Sequence, residues 1–102
     1  MEDIRILELQ KAIGGINHKN RAVDQYFYKL TEEVGELAQV IRKNQRMGEG
    51  GIKNTIEEEL YDVLYYVVCL ANQYGIDLTE CAVLKEELNA EKYKRGSMFE
   101  KN

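Results

Sequence analysis

The chain contains no proline, and most of its glycines fall into groups that divide it into four stretches. These breaks lie at Gly14-Gly15, at Gly48 with Gly50-Gly51, and at Gly75. Between the breaks, apolar residues recur every three to four positions, which is the spacing of one face of an α-helix. The pattern therefore predicts an all-α, four-helix bundle-like fold, with helices at about residues 4–13, 22–45, 56–74 and 78–91.

Two of the predicted helices carry clear start signals. Thr55 is followed three residues later by Glu58, and Asp77 is followed in the same way by Glu80. In such a pair the first side chain accepts hydrogen bonds from the free backbone N–H groups of the first turn. Gly75 supplies the stop between the third and fourth helices.

The length and charge of the chain limit its class. We predict that residues 1–102 form a single domain, and because small domains bury a smaller share of their surface, help from a partner subunit is plausible. The net charge of −4 and the pI near 5.1 argue against a surface for duplex nucleic acid. The sequence shows neither an apolar run long enough to span a membrane nor a secretory-type leader, so the expected compartment is the cytoplasm.

The cysteines and the single histidine do not form a recognisable zinc motif. Cys69 and Cys81 lie in otherwise helical patterns and are not closely paired with each other or with His18. We therefore predict that both cysteines are buried reduced thiols. His18, in the first break, is predicted to be a surface or loop residue.

Acidic residues of the second helix lie beside its apolar stripe. Advancing about 100° per residue places four apolar side chains in one narrow stripe, which is predicted to face a core. The stripe consists of Leu30, Val34, Leu37 and Ile41. Glu33 falls at the edge of the stripe and Glu36 further round on the same side, so neither has the position of an ordinary solvated glutamate.

The third helix places two more acids on its packed side. Glu59 falls within the apolar face, and Asp62 lies between Tyr66 and Cys69 on the helical wheel. If the second and third helices pack antiparallel, a rise of about 1.5 Å per residue brings both pairs of acids to the same height. Four carboxylates crowded into a helical core either bind protons or recruit cations, and oxygen ligands select Mg²⁺ or Mn²⁺.

Two alternatives compete with a site for Mg²⁺ or Mn²⁺: acids without a metal, and a di-iron site. The glutamates at positions 57–59 also suit a helix N-terminus, and Glu32, Glu33 and Glu36 could form a solvated face. A di-iron bundle would need a Glu-x-x-His pair on each of two helices. The lone histidine, His18, has no acid three residues away, so that class is excluded.

These acidic motifs resemble the MazG-type nucleotide pyrophosphohydrolases, whose signature is Glu-Glu-x-x-Glu followed by Glu-x-x-Asp. The match runs through residues 30–38 and 58–66, and includes the segment 75–78. The first motif is formed by Glu32, Glu33 and Glu36, and the second by Glu59 and Asp62. The flanking apolar residues agree with the family as well as the acids do.

The resemblance implies a helical bundle that assembles as a homodimer or homotetramer, with sites near the subunit contacts. It implies Mg²⁺-dependent hydrolysis of a nucleoside triphosphate between its α- and β-phosphates, to a monophosphate and pyrophosphate, often to clear unwanted nucleotides. The metal ligands would be Glu33, Glu36, Glu59 and Asp62. The catalytic candidates are Glu33 and Glu32, of which Glu32 would orient or deprotonate the attacking water, directly or through a metal ligand, or would simply be solvated.

The segment after the fourth helix resembles the basic tail of many relatives, where cations meet substrate phosphates. The candidates here are Lys92, Lys94 and Arg95, with Asn89 as a candidate for reading a base edge and Asn72 as a weaker one. Many relatives have Arg-Gly-Gly-Phe, whereas here Ser97 and Met98 separate Gly96 from Phe99, which leaves the position of the aromatic open.

Two further features are open at this stage. Gly35 costs an α-helix close to 1 kcal/mol relative to alanine, so we predict close backbone packing or room for a ligand beside it. The tyrosines at positions 61, 65 and 66 are predicted to pack in a core or interface, with base stacking as the alternative.

Three other functions remain as alternatives. The first is a phosphoribosyl-ATP pyrophosphohydrolase, which has a related helical fold and cleaves the same bond. The second is a non-catalytic helical module that binds a metal or a nucleotide. The third is a partner-binding helical protein without a metal, which Mg²⁺ would not stabilise.

Overall fold

The computed structural model of the chain describes residues 3–16 and 22–99, which contain four α-helices. They are α1 (Ile6–Gly14), α2 (Val23–Arg42), α3 (Ile56–Gln73) and α4 (Leu78–Tyr93). The all-α prediction is confirmed: over the described ranges the only β pairing is an isolated bridge between Gly48 and Gly51. His18 lies outside the described residues.

The ends of α2 and α4 differ from the prediction because in each case a residue just after the helix adopts a left-handed backbone conformation. Helix α2 stops at Arg42 rather than continuing to position 45, because Asn44 has a φ of 52° and turns the chain. Helix α4 runs on to Tyr93 and ends where Lys94 has a φ of 53°, so Lys92 is helical rather than part of a loose tail.

The predicted start and stop signals of α3 and α4 are confirmed. The Thr55 hydroxyl accepts a hydrogen bond from the Glu58 N–H at 3.2 Å, while the Glu58 carboxylate accepts from the Asn54 N–H at 2.8 Å. The Asp77 carboxylate accepts from the N–H groups of Thr79 and Glu80. Gly75 has a φ of 65°, the left-handed conformation that favours glycine at a helix end.

Helices α2 and α3 form an antiparallel pair. Tyr26, near the start of α2, packs with Val68 and Cys69, near the end of α3, while acids of mid-α2 meet acids of the first turns of α3. Ile13 of α1 completes this core. The antiparallel packing brings the two acidic motifs to the same height, as predicted from the helical rise.

The apolar stripe predicted for α2 is not the face that the chain buries. Val34 and Ile41 are 50% and 53% exposed, and the buried residues of α2 are Tyr26, Glu33 and Val40. These three lie seven residues apart and so follow one narrow line along the helix. Within a single chain α2 packs mainly along α3, so this line is covered, Leu30 and Leu37 are half-buried, and Val34 and Ile41 are left open.

The burial of the cysteines was predicted only half correctly. Cys69 is buried in the core, but Cys81 on α4 is exposed. Helix α4 buries just one of its residues, Glu86, so most of its surface faces outward. None of the described helices combines the length and apolar character that a membrane crossing needs.

Gln10 ties α1 to the turn between α3 and α4. Its side-chain amide donates to the Asn72 side chain at 3.1 Å and to the Ile76 carbonyl at 2.8 Å, and its oxygen accepts from the Leu78 N–H at 2.9 Å. Asn72 in turn donates to the Gln10 carbonyl at 2.9 Å. Asn72 is therefore a structural residue of the bundle rather than a free group for reading a base.

We expect Gln10→Ala to lower the free energy of unfolding by about 2 kcal/mol, because it leaves the polar groups of Ile76 and Leu78 without their partner. Urea denaturation followed by circular dichroism measures the change. Gln73→Ala, at an exposed position of α3, serves as the control and should change stability by less than about 0.5 kcal/mol. Equal effects of the two substitutions would contradict this role of Gln10.

Candidate active site and metal centre

Three carboxylates meet where α2 packs against the first turns of α3. Glu33, Glu59 and Asp62 each offer an oxygen, and these oxygens all lie within 4.8 Å of one another. Glu33 is 9% exposed and Glu59 is 7% exposed. The cluster is therefore held between the two helices and not on a solvated face.

Two oxygens of this cluster have no hydrogen-bond partner. They are Oε2 of Glu33 and Oε2 of Glu59, and they are the only buried side-chain polar atoms in this condition among the residues that the structure describes. An unpartnered buried polar atom costs free energy, and a buried charge costs much more. The two oxygens thus need either protons or a cation.

The pKa values of the cluster indicate the same need. Burial, with smaller contributions from Glu36 and Glu59, raises the pKa of Glu33 to about 7. Burial also raises the pKa of Glu59. The pKa of Asp62 is raised by burial and by the charges of Glu58 and Glu36. Without a metal, Glu33 is partly protonated near neutral pH, and a divalent cation bound to the cluster would displace this proton.

The donor set fits a hard divalent cation. All of the atoms are carboxylate oxygens, which Mg²⁺ and Mn²⁺ prefer, and no nitrogen or sulfur ligand from the part of the chain that the structure describes belongs to the cluster. Ligands on opposite sides of Mg²⁺ stand about 4.2 Å apart, twice the usual Mg–O distance. The observed oxygen spacing is close enough that small side-chain rotations could gather the three groups around one ion.

The other two acids of the first motif are placed differently from each other. Glu36 lies outside the tight cluster, but its charge acts on Glu33, Glu59 and Asp62, and it lines a cleft together with Glu59. Glu32 is exposed, and its carboxylate pairs with the Lys29 amine at 3.0 Å. The structure therefore brings Glu36 to the cluster and holds Glu32 at the surface.

A polar cleft of about 490 Å³ runs from the cluster toward the end of α2. Its lining consists of Glu36, Gln39, Val40, Lys43, Gln45, Asn54 and Glu59. Four polar residues of this lining, at positions 39, 43, 45 and 54, were not singled out from the sequence. The first two could have been found, because they lie three and seven residues after Glu36 on one helix face. The other two depend on the course of the loop.

The basic segment after α4 is folded back onto that helix. Both Nη atoms of Arg95 donate to the carboxylate of Glu86, which also accepts from the Met98 N–H at 3.1 Å. The hydrogen bonds from Arg95 lower the pKa of Glu86, and a side-chain hydrogen bond with Asn89 lowers it by a smaller amount. The Lys92 amine lies 5.3 Å from the centre of the Tyr93 ring, and Lys94 occupies the turn after α4.

Two smaller predictions can also be compared with the structure. The rings of Tyr65 and Tyr66 meet edge to face at 5.2 Å and pack on the core, which agrees with a packing role, whereas Tyr61 is 46% exposed in the single chain. A Cβ added at Gly35 would meet no atom within 4 Å, so the close packing that we predicted there is absent from the described chain. Open space beside the acids remains.

Comparison with known proteins identifies the family. Residues 21–95 match the model of the MazG nucleotide pyrophosphohydrolase domain. The chain belongs to this family. Its class is therefore that of a hydrolase acting on nucleotides, and the acidic cluster of this MazG-family chain stands where the signature motifs meet.

Two solved structures are similar to this MazG-family chain. The crystal structure of iMazG from Vibrio DAT 722 is 44% identical, with a TM-score of 0.81 over 90% of this chain and 100% of that one. That of the Bacillus-conserved MazG protein, a nucleotide pyrophosphohydrolase, is 30% identical, with a TM-score of 0.66 over 91% of this chain and 93% of that one.

Two further relatives are similar in sequence. Uncharacterized protein YpjD of Bacillus subtilis (strain 168) is 40% identical over an alignment of 85 residues, which covers 78% of this chain and 74% of YpjD. dCTP pyrophosphatase 1 of Mus musculus is 29% identical over 99 residues, or 91% of this chain. The match spans 58% of the length of the mouse protein.

The buried acids predict an unusual pH dependence for the metal-free protein. Glu33 releases its proton near pH 4.5 when unfolded but near 7 when folded, so the native state binds more protons between these values. Stability should therefore fall as the pH rises from about 4.5 to about 7, and Glu33→Gln should flatten the decline. The measurement is urea denaturation with a chelator present, with the exposed Glu87→Gln as the control.

Addition of Mg²⁺ at the upper end of this pH range should reverse the loss. At about a hundred times its dissociation constant, a ligand of the native state adds about 2.7 kcal/mol to the free energy of unfolding. The gain should be smaller in Glu33→Gln than in the wild type and in Glu87→Gln. A flat pH profile in the wild type, or the same profile in Glu33→Gln, would contradict the assignment to Glu33.

Proposed function

We propose that this chain hydrolyses a nucleoside triphosphate between the α- and β-phosphates, releasing a nucleoside monophosphate and pyrophosphate. The observation that carries the proposal is the cluster of Glu33, Glu59 and Asp62, in which two buried oxygens have no partner. Such a cluster is costly without a cation and has the oxygen donors that Mg²⁺ requires. Membership of the family supplies the class of reaction.

In this proposal Glu33, Glu36, Glu59 and Asp62 hold Mg²⁺, with Mn²⁺ as a possible substitute. The bound ion would supply positive charge to the phosphate oxygens as negative charge develops during the reaction. Glu36 stands at the open side of the cluster, next to the cleft, and is therefore placed to act between the buried acids and the substrate.

Glu33 is the better placed of the two candidate bases. Its carboxylate belongs to the cluster that is proposed to hold the metal, so it lies beside the water that the bound ion would activate. Glu32 would first have to leave Lys29, to which it is bound at 3.0 Å. We therefore assign proton acceptance from the attacking water to Glu33, and give Glu32 a role in orienting this group or its water.

The basic tail divides into two roles under this proposal. Lys92 and Lys94 have no ion pair among the described residues and are proposed to contact substrate phosphates, with Asn89 nearby as a polar contact. Arg95 is occupied by Glu86, so we assign it the role of holding the tail against α4.

The relatives guide the choice of substrates. The similar mouse protein is named a dCTP pyrophosphatase, and the Bacillus structure is described as a nucleotide pyrophosphohydrolase. We propose a nucleoside triphosphate as the substrate of this chain, with removal of surplus or non-canonical nucleotides as its use. Phosphoribosyl-ATP, the substrate of the competing pyrophosphohydrolase, belongs in the same test.

We also propose that the chain works as a homodimer or homotetramer. The stripe of α2 that its own chain leaves open has a counterpart on α3, where Leu60 and Leu64 are 53% and 38% exposed. Val34 and Ile41 on α2 and these leucines give the central helix pair a second apolar side beside the acids. Burial of such a surface against another copy stabilises an assembly by the hydrophobic effect.

A panel of nucleoside triphosphates, including dCTP, and phosphoribosyl-ATP tests the reaction. With Mg²⁺, the wild type should release pyrophosphate and a monophosphate from at least one substrate, as resolved by anion-exchange chromatography. Asp62→Asn should lower the rate by about a hundredfold or more, because it removes one of the charged oxygens. Glu87→Gln, an equally conservative change at an exposed site on α4, should retain the rate.

Each alternative has its own outcome in this panel. Release of orthophosphate instead of pyrophosphate would contradict cleavage between the α- and β-phosphates. Binding of nucleotide and Mg²⁺ without turnover would favour a non-catalytic module. A protein that Mg²⁺ does not stabilise would favour a metal-free partner-binding role.

For the assembly, Ile41→Glu should shift the sedimentation coefficient toward that of a single 11.8 kDa chain, because it buries a charge in the proposed contact. Ile4→Glu, at a position that is 69% exposed and precedes α1, is the matched control and should leave the assembly intact. An unchanged sedimentation profile for Ile41→Glu would exclude this side of α2 from the contact.

A further inference from the structure

The cleft beside the acidic cluster follows one face of α2 to the end of that helix. Gln39, Val40 and Lys43 lie three, four and seven residues after Glu36, so all four side chains project to the same side. Seven residues correspond to about 10.5 Å along the axis. The C-cap Lys43 keeps helical backbone angles (φ −82°, ψ −7°), and the Cα–Cβ bond of a residue in this conformation is tilted toward the helix N-terminus, the direction of Glu36.

Lys43 is the only cation among the described residues that line this cleft. No carboxylate oxygen of the described chain lies within 4.0 Å of its amine. By contrast, Arg46 in the following loop is held by the Glu57 carboxylate at 2.9 Å. The Lys43 amine is therefore available to a ligand in the cleft, whereas the nearby arginine is already paired.

The last carbonyl groups of α2 are hydrogen-bonded, so they do not repel an anion strongly. The last carbonyls of a helix carry partial negative charge, but here those of residues 39–41 accept hydrogen bonds from the N–H groups of residues 43–45, at 2.9–3.1 Å. In the first turn of α3, Glu57 is paired with Arg46, and Glu58 accepts from the Asn54 N–H. Only Glu36 and Glu59 remain as acids in the cleft lining.

The lining of the cleft suits phosphate better than a nucleobase. Among the described residues, the lining includes no aromatic ring on which a base could stack, and Val40 is the only apolar side chain. Gln39, Gln45 and Asn54 supply carboxamide groups, and Lys43 supplies a positive charge. An amine and neutral N–H donors together are typical phosphate contacts.

We propose that this cleft is the subsite for the pyrophosphate leaving group, with Lys43 as the cation that binds its terminal phosphate and with Gln39 and Asn54 as neutral donors. This assignment rests on the proposed hydrolysis, in which the cluster of Glu33, Glu59 and Asp62 lies beside the bond that breaks. The nucleoside then extends away from the cleft.

The test measures the binding of inorganic pyrophosphate in the presence of Mg²⁺ by isothermal titration calorimetry. Lys43→Gln should weaken this binding about fivefold, as expected for loss of one charged contact in a solvated site. Lys43→Arg should bind nearly as well as the wild type. Arg42→Gln is the matched control, because it removes the same charge one residue away, outside the cleft lining, and should leave the affinity unchanged.

Binding of a nucleoside monophosphate, measured in the same way, separates the two halves of the substrate. Lys43→Gln should leave its affinity unchanged. If the affinity for the monophosphate falls and that for pyrophosphate does not, the cleft holds the nucleoside and the proposal is wrong. If Arg42→Gln weakens pyrophosphate binding as much as Lys43→Gln does, the effect is general electrostatics and the proposal is also wrong.

The outcomes separate this proposal from the proposed hydrolysis. Turnover of a nucleotide by the wild type, with pyrophosphate binding insensitive to Lys43→Gln, overturns the subsite and leaves the hydrolysis intact. Specific binding of pyrophosphate through Lys43 without turnover of any nucleotide supports Lys43 as the cation that binds pyrophosphate, but overturns the hydrolysis and with it the leaving-group role of the cleft. No binding of pyrophosphate by the wild type overturns the subsite. Circular dichroism and thermal denaturation of each variant verify that it is folded.

Discussion

The burial of Glu33 opposite Glu59 is the constraint on which the rest of the structure depends. Two acids in the interface between two helices repel each other and lose hydration, so this interface must be held together by contacts on either side of the acids. On one side Tyr26 packs into the core against Val68. On the other, the N–H of Ile56 donates to the Gln45 carbonyl at 2.8 Å and closes the loop between the helices. The acids are thus fixed between two stable regions, and the strain between them favours a cation.

The sequence was sufficient to predict the structural features that depend on local periodicity. Helix positions, the capping residues Thr55 and Asp77, and the meeting of Glu33 with Glu59 all follow from spacings of three to seven residues and from the rise of an α-helix. The site was predictable to this extent because its acids lie on two consecutive helices, although the loop between them, residues 43–55, is long. The antiparallel packing of these helices brings the two motifs to the same height.

Long-range pairing was not predictable in the same way. Glu86 resembles any acid of α4 in the sequence, and only the fold brings Arg95 back to it. Gln10 and Asn72 lie 62 residues apart, so no local spacing indicates their contact. Periodicity also could not decide which side of α2 is covered, because the helix has an apolar stripe and a line of buried residues side by side. Val34, which was predicted to face a core, is therefore 50% exposed in the single chain.

The distribution of charge suggests how an acidic chain can bind a polyanion. Lys29, Arg46 and Arg95 are each paired with a glutamate, so these cations add little to the attraction of a substrate. The net charge of −4 and the acidic cluster would repel a free triphosphate. A triphosphate that carries Mg²⁺ has lost part of its charge and brings the cation that the unpartnered oxygens of Glu33 and Glu59 need. The same acids that destabilise the metal-free interface between α2 and α3 would thereby select the metal-bound form of the nucleotide over the free form.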